Sequence, residues 1–202
     1  KTAPYDNPDD RLALKLLIDR ERYNRIVYKG NAQTGNDHPI APIFPECCDQ
    51  LPQPQYDPDQ AKSLLKKAGF ENHEFQLHVS DKGNGAKQGA LVFSDMAAKA
   101  GVKIKVINEP TDGFWTAVWM KKPFLMCDWG MRSTANMQLS VAFKSDSSWN
   151  DTFWKRPDFD KLLLEARSTF DKAKRKTLYC DMERMIRDDG GTIIPTFVNK
   201  LD

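Results

Sequence analysis

Between Asp57 and Gly130 the apolar pattern switches period several times, and that switching constrains the fold more than any other feature. DPDQAKSLLKKAGF, Asp57 to Phe70, opens on acids, sets Ala61, Leu64, Leu65 and Ala68 at helical spacing, and meets Gly69 as a stop. FQLHVS, Phe75 to Ser80, alternates as a strand does. A helix is expected over Ala86 to Ala100, ended by Gly101, and VKIKVI, Val102 to Ile107, alternates again. Thr111 can cap a helix running through Phe114, Trp115 and Val118, and PFLMCDWG, Pro123 to Gly130, reads as a third strand on its continuous apolar run. Strands separated by helices need crossover connections. The expected class is therefore α/β, an open, largely parallel or mixed sheet with flanking helices.

The flanks read differently. Asn7 to Val27 carries one helical pattern, with Leu12, Leu16 and Ile26 near one face, Asp6 or Asn7 at the cap and Pro8 in the first turn. Lys29 to Pro58 is rich in Gly, Pro, Asn and Gln and has no period, so it is either a linker or a wrapping loop. Two parts are expected: residues 1–58, a helix and an irregular connecting or wrapping segment, and residues 59–202, an α/β ligand-binding lobe. Within the latter, the stretch from Trp149 to Pro195 begins as an aromatic loop. Two helices follow, Asp158 to Phe170 and Lys172 to Asp189, with buried stripes at Phe159, Leu162, Leu163, Ala166 and Phe170, and at Leu178, Met182, Met185 and Ile186. Gly190 and Gly191 end the second helix, and Thr192 to Val198 is a final strand.

Bulk properties exclude some functions. The 202 residues hold 30 Lys and Arg against 28 Asp and Glu, a net charge of +2 with the signs intermixed, which gives no case for a nucleic-acid partner. Mean hydropathy is −0.62, and no apolar run is long enough to span a membrane. The cysteines, Cys47, Cys48, Cys127 and Cys180, lack zinc-site spacing. Neighbours such as Cys47 and Cys48 rarely bridge each other. Cys127 and Cys180 sit in apolar settings that suggest buried thiols.

The sequence holds few residues in catalytic arrangements. His38, His73 and His78 have no histidine partner at the spacing of HExxH, and a surface or strand histidine is the plainer reading of each. No GxSxG elbow occurs. DKGNGAKQG, Asp81 to Gly89, fails both phosphate-loop patterns and reads as a flexible strand-to-helix turn. The acid pairs Asp9–Asp10 and Asp188–Asp189 read as solvated charges at helix ends. No catalytic set, cofactor or metal site is therefore expected, and the chain is read as a binding protein rather than an enzyme. Trp115 and Trp119, four apart, read as core or interface. Trp129 ends an expected strand, where crevice ligands of open α/β sheets lie, and Gly130, Met131 and Arg132 follow it. An indole beside a guanidinium can form the floor for an organic anion.

Four segments, in order, resemble the extracytoplasmic solute-binding proteins of ABC importers, in the cluster that binds peptides, dipeptides and nickel. They are NPDDRLALKLLIDRERY (Asn7 to Tyr23), YDPDQAKSLLKKAGF (Tyr56 to Phe70), AGVKIKV (Ala100 to Val106) and FDKLLLEARSTFDKAKRKTLYCDMERMIRDDGGTIIPTF (Phe159 to Phe197). The resemblance implies two lobes closing on a ligand, of which this chain is most of the C-terminal one, with an N-terminal lobe of the same protein as its missing partner. It also implies a location in the periplasm or on the extracytoplasmic membrane surface, a small organic solute or short peptide as ligand, and an ABC permease in the membrane as partner. Peptide-binding members commonly carry an acid shortly after the Gly-Trp that ends the strand, where it pairs with the free amine. Here Arg132 stands in that region and no acid lies between Trp129 and Asn136. A cation repels an ammonium and attracts a carboxylate, so a carboxylate-bearing solute is expected, with Trp129, Gly130, Met131, Arg132 and Asn136 as ligand-binding candidates. The alternatives are an α/β hydrolase-type or other enzyme domain using His38 or His78, and a ligand-sensing or structural lobe that has left transport.

Overall fold

In the computed structural model, residues 2–81, 83 and 85–199 are described. The chain forms two compact units, one from residues 1–34, 54–129 and 195–202, the other from residues 35–53 and 130–194.

The first unit is mixed α/β. Helix α1 (Pro8–Leu16) starts where the Asn7 side chain accepts from the Asp9 N–H at 2.9 Å. The single helix read over Asn7 to Val27 is in fact two. The Asp19 carboxylate takes the Arg22 N–H at 2.9 Å and opens a new helix, α2 (Arg20–Tyr28), while the buried Leu17 and Ile18 make the corner. A short strand, β1 (Ala32–Thr34), follows. Helix α3 (Pro58–Lys67) is capped by Asp57, whose own N–H donates to the Leu16 carbonyl and ties α3 to the end of α1.

The heart of this unit is a parallel pair, β2 (Glu74–Ser80) and β3 (Lys103–Glu109), in register from Glu74↔Lys103 to Ser80↔Glu109. The crossover is α4 (Ala86–Lys99). Phe75, Leu77 and Val79 are fully buried on β2. His78 and Ser80, on its other face, are buried too, as expected when a parallel pair is covered on both sides. Helices α2 and α4 meet at a glycine: a Cβ on Gly89 would lie 2.0 Å from the Tyr23 hydroxyl. The turn expected over Asp81 to Gly89 includes Lys82 and Asn84, which lie outside the described residues; Gly85 at φ 78 leads into α4.

Three expectations are corrected here. Pro123 to Gly130 is not a full strand: one isolated bridge pairs Leu125 with His78, through His78 N–H to Phe124 O (3.0 Å) and Met126 N–H to His78 O (2.9 Å). Its apolar residues, Phe124 to Cys127, are only half-buried and make that single bridge rather than extended pairing. The helix expected from Thr111 is a five-residue π-helix, Phe114–Val118, entered through Gly113 at φ 86 and closed by Trp119 N–H to Phe114 O. The last strand, β4 (Thr196–Val198), is three residues long rather than running from Thr192 to Val198; it pairs antiparallel with β1, and the sheet content is mixed, within the expected class.

The second unit is helical. It contains α5 (Ala135–Phe143), α6 (Pro157–Ser168) and α7 (Lys172–Asp189). Helix α5 was not expected, because in ANMQLSVAF the polar Asn136, Gln138 and Ser140 fall at every second position and mark no helical face; the Thr134 hydroxyl, accepting from the Met137 N–H, marks its start. Residues 35–53 wrap this bundle. Asp37 exchanges bonds with Ile194, Pro52 O accepts from Arg187 Nη1 at 2.6 Å, and a Cys48–Cys180 disulfide fastens the strap to α7. Cys180 is thus a disulfide half and not the buried thiol expected. The pairing spans 132 positions, which local context cannot reveal. Cys47 and Cys127 are half-buried.

Candidate ligand-binding and metal-ligand residues

The five expected ligand-binding residues divide between the units. Trp129 is half-buried at the end of the first unit's segment, while Gly130, Met131, Arg132 and Asn136 belong to the second. Gly130 and Met131 are exposed. Arg132 is held from both ends: its N–H donates to Gln138 Oε1 at 3.2 Å, and its guanidinium carbon lies 5.7 Å from the centre of the Trp149 ring. That distance is within cation–π range. Asn136 sits in the first turn of α5, where its amide donates to Leu163 O, its carbonyl oxygen accepts from Ser140 Oγ, and Tyr179 bonds to it.

Trp149 opens the aromatic loop, and nothing in its local sequence pairs it with Arg132. The loop that carries it is anchored by neighbours. Trp154 is buried, its indole N–H donates to Asp189 Oδ2 at 2.7 Å, and its ring meets Phe143 and Phe159 edge-on. Arg156 Nε reaches the same carboxylate oxygen at 2.8 Å. Asn150 Nδ2 donates to Trp154 O at 2.6 Å. Asp189 is therefore a structural acceptor, not the solvated helix-end charge expected of it. Asp10, the other such exception, is buried, and desolvation raises its carboxyl above the ordinary range. Trp115 and Trp119 meet edge-on with centroids 5.8 Å apart, yet Trp115 is 45% exposed and fills no core.

The histidines lie deeper than expected. In the first unit His78 Nδ1 is 2.6 Å from Glu109 Oε1, a pair set by the β2–β3 register and by the turn of both side chains to one face. A carboxylate beside a buried strand histidine is half of a proton-transfer apparatus, and it is also the ordinary means of satisfying such a ring. In the second unit His38 is buried against Glu183 of α7, Nδ1 to Oε2 at 3.5 Å. Burial drives both toward neutrality: the imidazole falls to about 4 and the carboxyl rises to about 8. At neutral pH this is an uncharged pair and not a salt bridge, despite its spacing. Glu183 Oε2 accepts from the Cys48 N–H at 2.8 Å. Cys47 Sγ donates to Ile40 O at 3.3 Å, and burial lifts that thiol to about 11. One ligand atom from each of His38, Cys47 and Glu183 falls within a 4.8 Å set. No spacing rule brings positions 38, 47 and 183 together; the strap does.

Comparison with known proteins places this architecture. The family described as Bacterial extracellular solute-binding proteins, family 5 Middle, matches residues 1–151. The glutathione-binding protein GsiB of Pectobacterium atrosepticum is 29% identical over 199 residues, covering 92% of this chain and 38% of that protein. Among solved structures, HbpA2 from Haemophilus parasuis superposes with a TM-score of 0.86 at 23% identity, covering 96% of this chain and 40% of the other. The dipeptide-binding protein from Pseudoalteromonas sp. SM9913, in complex with Met-Leu, gives 0.84 at 23% identity, covering 98% and 41%. At these identities the two structures show a shared fold. The chain spans about two fifths of the length of the proteins it matches.

Proposed function

We propose a function from one premise: the chain belongs to the bacterial extracellular solute-binding proteins of family 5. It serves as one lobe of the substrate-binding component of an ABC importer. Its task is capture of a solute outside the cytoplasm and delivery to a membrane permease, not catalysis. The family match over residues 1–151 carries this reading. The Cys48–Cys180 bridge is in keeping with an oxidising compartment.

In the proposed arrangement an N-terminal lobe of the same protein supplies the other wall of the site, and recognition proceeds by closure of the lobes. Residues 1–58 form the connecting and wrapping part and residues 59–202 the ligand-binding part. That division concerns ligand capture, whereas the two compact units reflect packing.

The ligand is a small carboxylate-bearing or peptide-like solute. Arg132 supplies the positive charge, with its guanidinium against the Trp149 indole. Trp129, Gly130, Met131 and Asn136 complete the proposed contacts. A relative named for glutathione and another holding a dipeptide bind molecules of this class, with carboxylates at their ends. Isothermal titration of the full-length protein with short peptides and with small di- and tricarboxylates tests the reading. Arg132→Ala is expected to weaken the carboxylate ligand by tenfold or more, the usual size for loss of a charge-assisted contact of about 1.5–3 kcal/mol, with the circular dichroism spectrum unchanged. Equal affinity in the variant rules out the assignment of Arg132.

A further inference from the structure

We propose that His38, Cys47 and Glu183 form a binding site for a zinc-class divalent cation in the helical unit, with the fourth position left to water. The three donors lie within 4.8 Å of one another. Two of their polar atoms, His38 Nδ1 and Glu183 Oε1, are buried without a hydrogen-bond partner among the described residues. Leaving such atoms unsatisfied is costly, and a cation coordinated by both removes that cost.

The donor set selects the metal. One imidazole nitrogen, one thiolate and one carboxylate are ligands for zinc, whereas calcium and magnesium require oxygen throughout. Bond lengths of about 2.0–2.3 Å around a tetrahedral ion set neighbouring donors roughly 3.3–3.8 Å apart. His38 Nδ1 and the Glu183 carboxylate already stand at this spacing, 3.5 Å to Oε2, which keeps its bond from the Cys48 N–H while Oε1 is left for the ion. The donors farthest apart close by about an ångström, within reach of a cysteine side-chain rotation. Charge also balances: a thiolate and a carboxylate offset a dication, so the buried cluster is neutral when loaded. Binding releases two protons to solvent, the thiol proton from the Cys47–Ile40 bond and the carboxyl proton of Glu183, as coordination by thiolate and carboxylate requires.

The scaffold places these groups through covalent and helical constraints. Cys180 and Glu183 are three apart on α7 and so share a face. The Cys48–Cys180 bridge fixes the strap against that face, and Cys47 is the neighbour of its anchored end. Asp37, beside His38, is itself bonded to Ile194.

The test uses the full chain, oxidised so that the bridge stays intact, stripped by chelator and titrated with Co2+ as a spectroscopic probe. The proposal expects a thiolate-to-cobalt charge-transfer band together with the visible bands of a four-coordinate ion, both bleached by Zn2+. Zinc is also expected to protect Cys47 from alkylation. Cys47→Ser removes the charge-transfer band, and His38→Gln weakens binding by more than roughly tenfold. Circular dichroism of each variant, without metal, checks that it folds. Should the folded wild-type chain give neither band nor protection, the proposal is overturned and the cluster is a neutral His–Glu pair with a thiol beside it.

Discussion

The two units reach stability by different routes. The mixed unit is held by a parallel strand pair whose apolar residues, Phe75, Leu77 and Val79, are followed within thirty residues by the helix and strand that cover and pair with them. The helical unit joins segments distant in sequence, through a disulfide spanning 132 positions and through polar groups buried on the strap and α7. Pattern-coded contacts build the first; cross-links between remote positions complete the second.

The largest effect that separates them is reduction of the bridge. Opening the Cys48–Cys180 bond, or replacing both cysteines by alanine, is expected to cost the helical unit up to about 5 kcal/mol on the chain-entropy account of so long a loop. Hydrogen exchange should show protection falling in α7 while β2 and α4 keep theirs; a uniform loss would erase the distinction. Phe75→Ala makes the converse case. Removing a fully buried ring from β2 is expected to cost about 3–5 kcal/mol, with the loss of protection centred on the mixed unit and the bridge still closed by thiol titration.

A smaller effect comes from the buried acid. Glu183 titrates near 8 in the folded chain against an ordinary 4.5, so between those values the folded state holds the extra proton and stability falls as pH rises. His38, lowered from 6.5 to about 4, works in the opposite sense, because the unfolded chain holds its proton in that interval. The two offset each other up to about pH 6.5. The net decline lies between roughly 6.5 and 8 and amounts to about 2 kcal/mol. Urea melts of chelator-treated protein across that window should show the decline in the wild type and a flat line in Glu183→Gln. The smallest effect is local: Asp171→Ala removes the acceptor for the Lys174 N–H at the start of α7 and should cost about 1 kcal/mol by urea denaturation.

How far each unit could be read from its sequence follows the same division. Helices α3, α4 and α7 and strands β2 and β3 were legible because caps, stops and periodicity lie within one segment. The Asn7 to Val27 pattern hid a break, since Asp19 reads equally as a polar-face residue and as a cap. Helix α5 was invisible because its polar residues, Asn136, Gln138 and Ser140, recur at every second position and not at helical spacing. The remaining features depend on contacts that only folding creates: Cys48 with Cys180, Glu183 with His38, Arg132 with Trp149. The candidate site shares this property. Arg132 stood out as a charge where the resembling family carries an acid, but its indole neighbour is seventeen positions away and carries no mark of the pairing.

The central claim is that this chain captures a small carboxylate-bearing or peptide-like solute as part of a solute-binding protein. Native mass spectrometry of the full-length protein, purified without denaturation, tests it most directly. The account predicts a discrete added mass at one-to-one stoichiometry, released on unfolding and identified as such a solute. Protein that stays ligand-free, and gains no mass when exposed to peptides and small carboxylates at millimolar concentration, would contradict it.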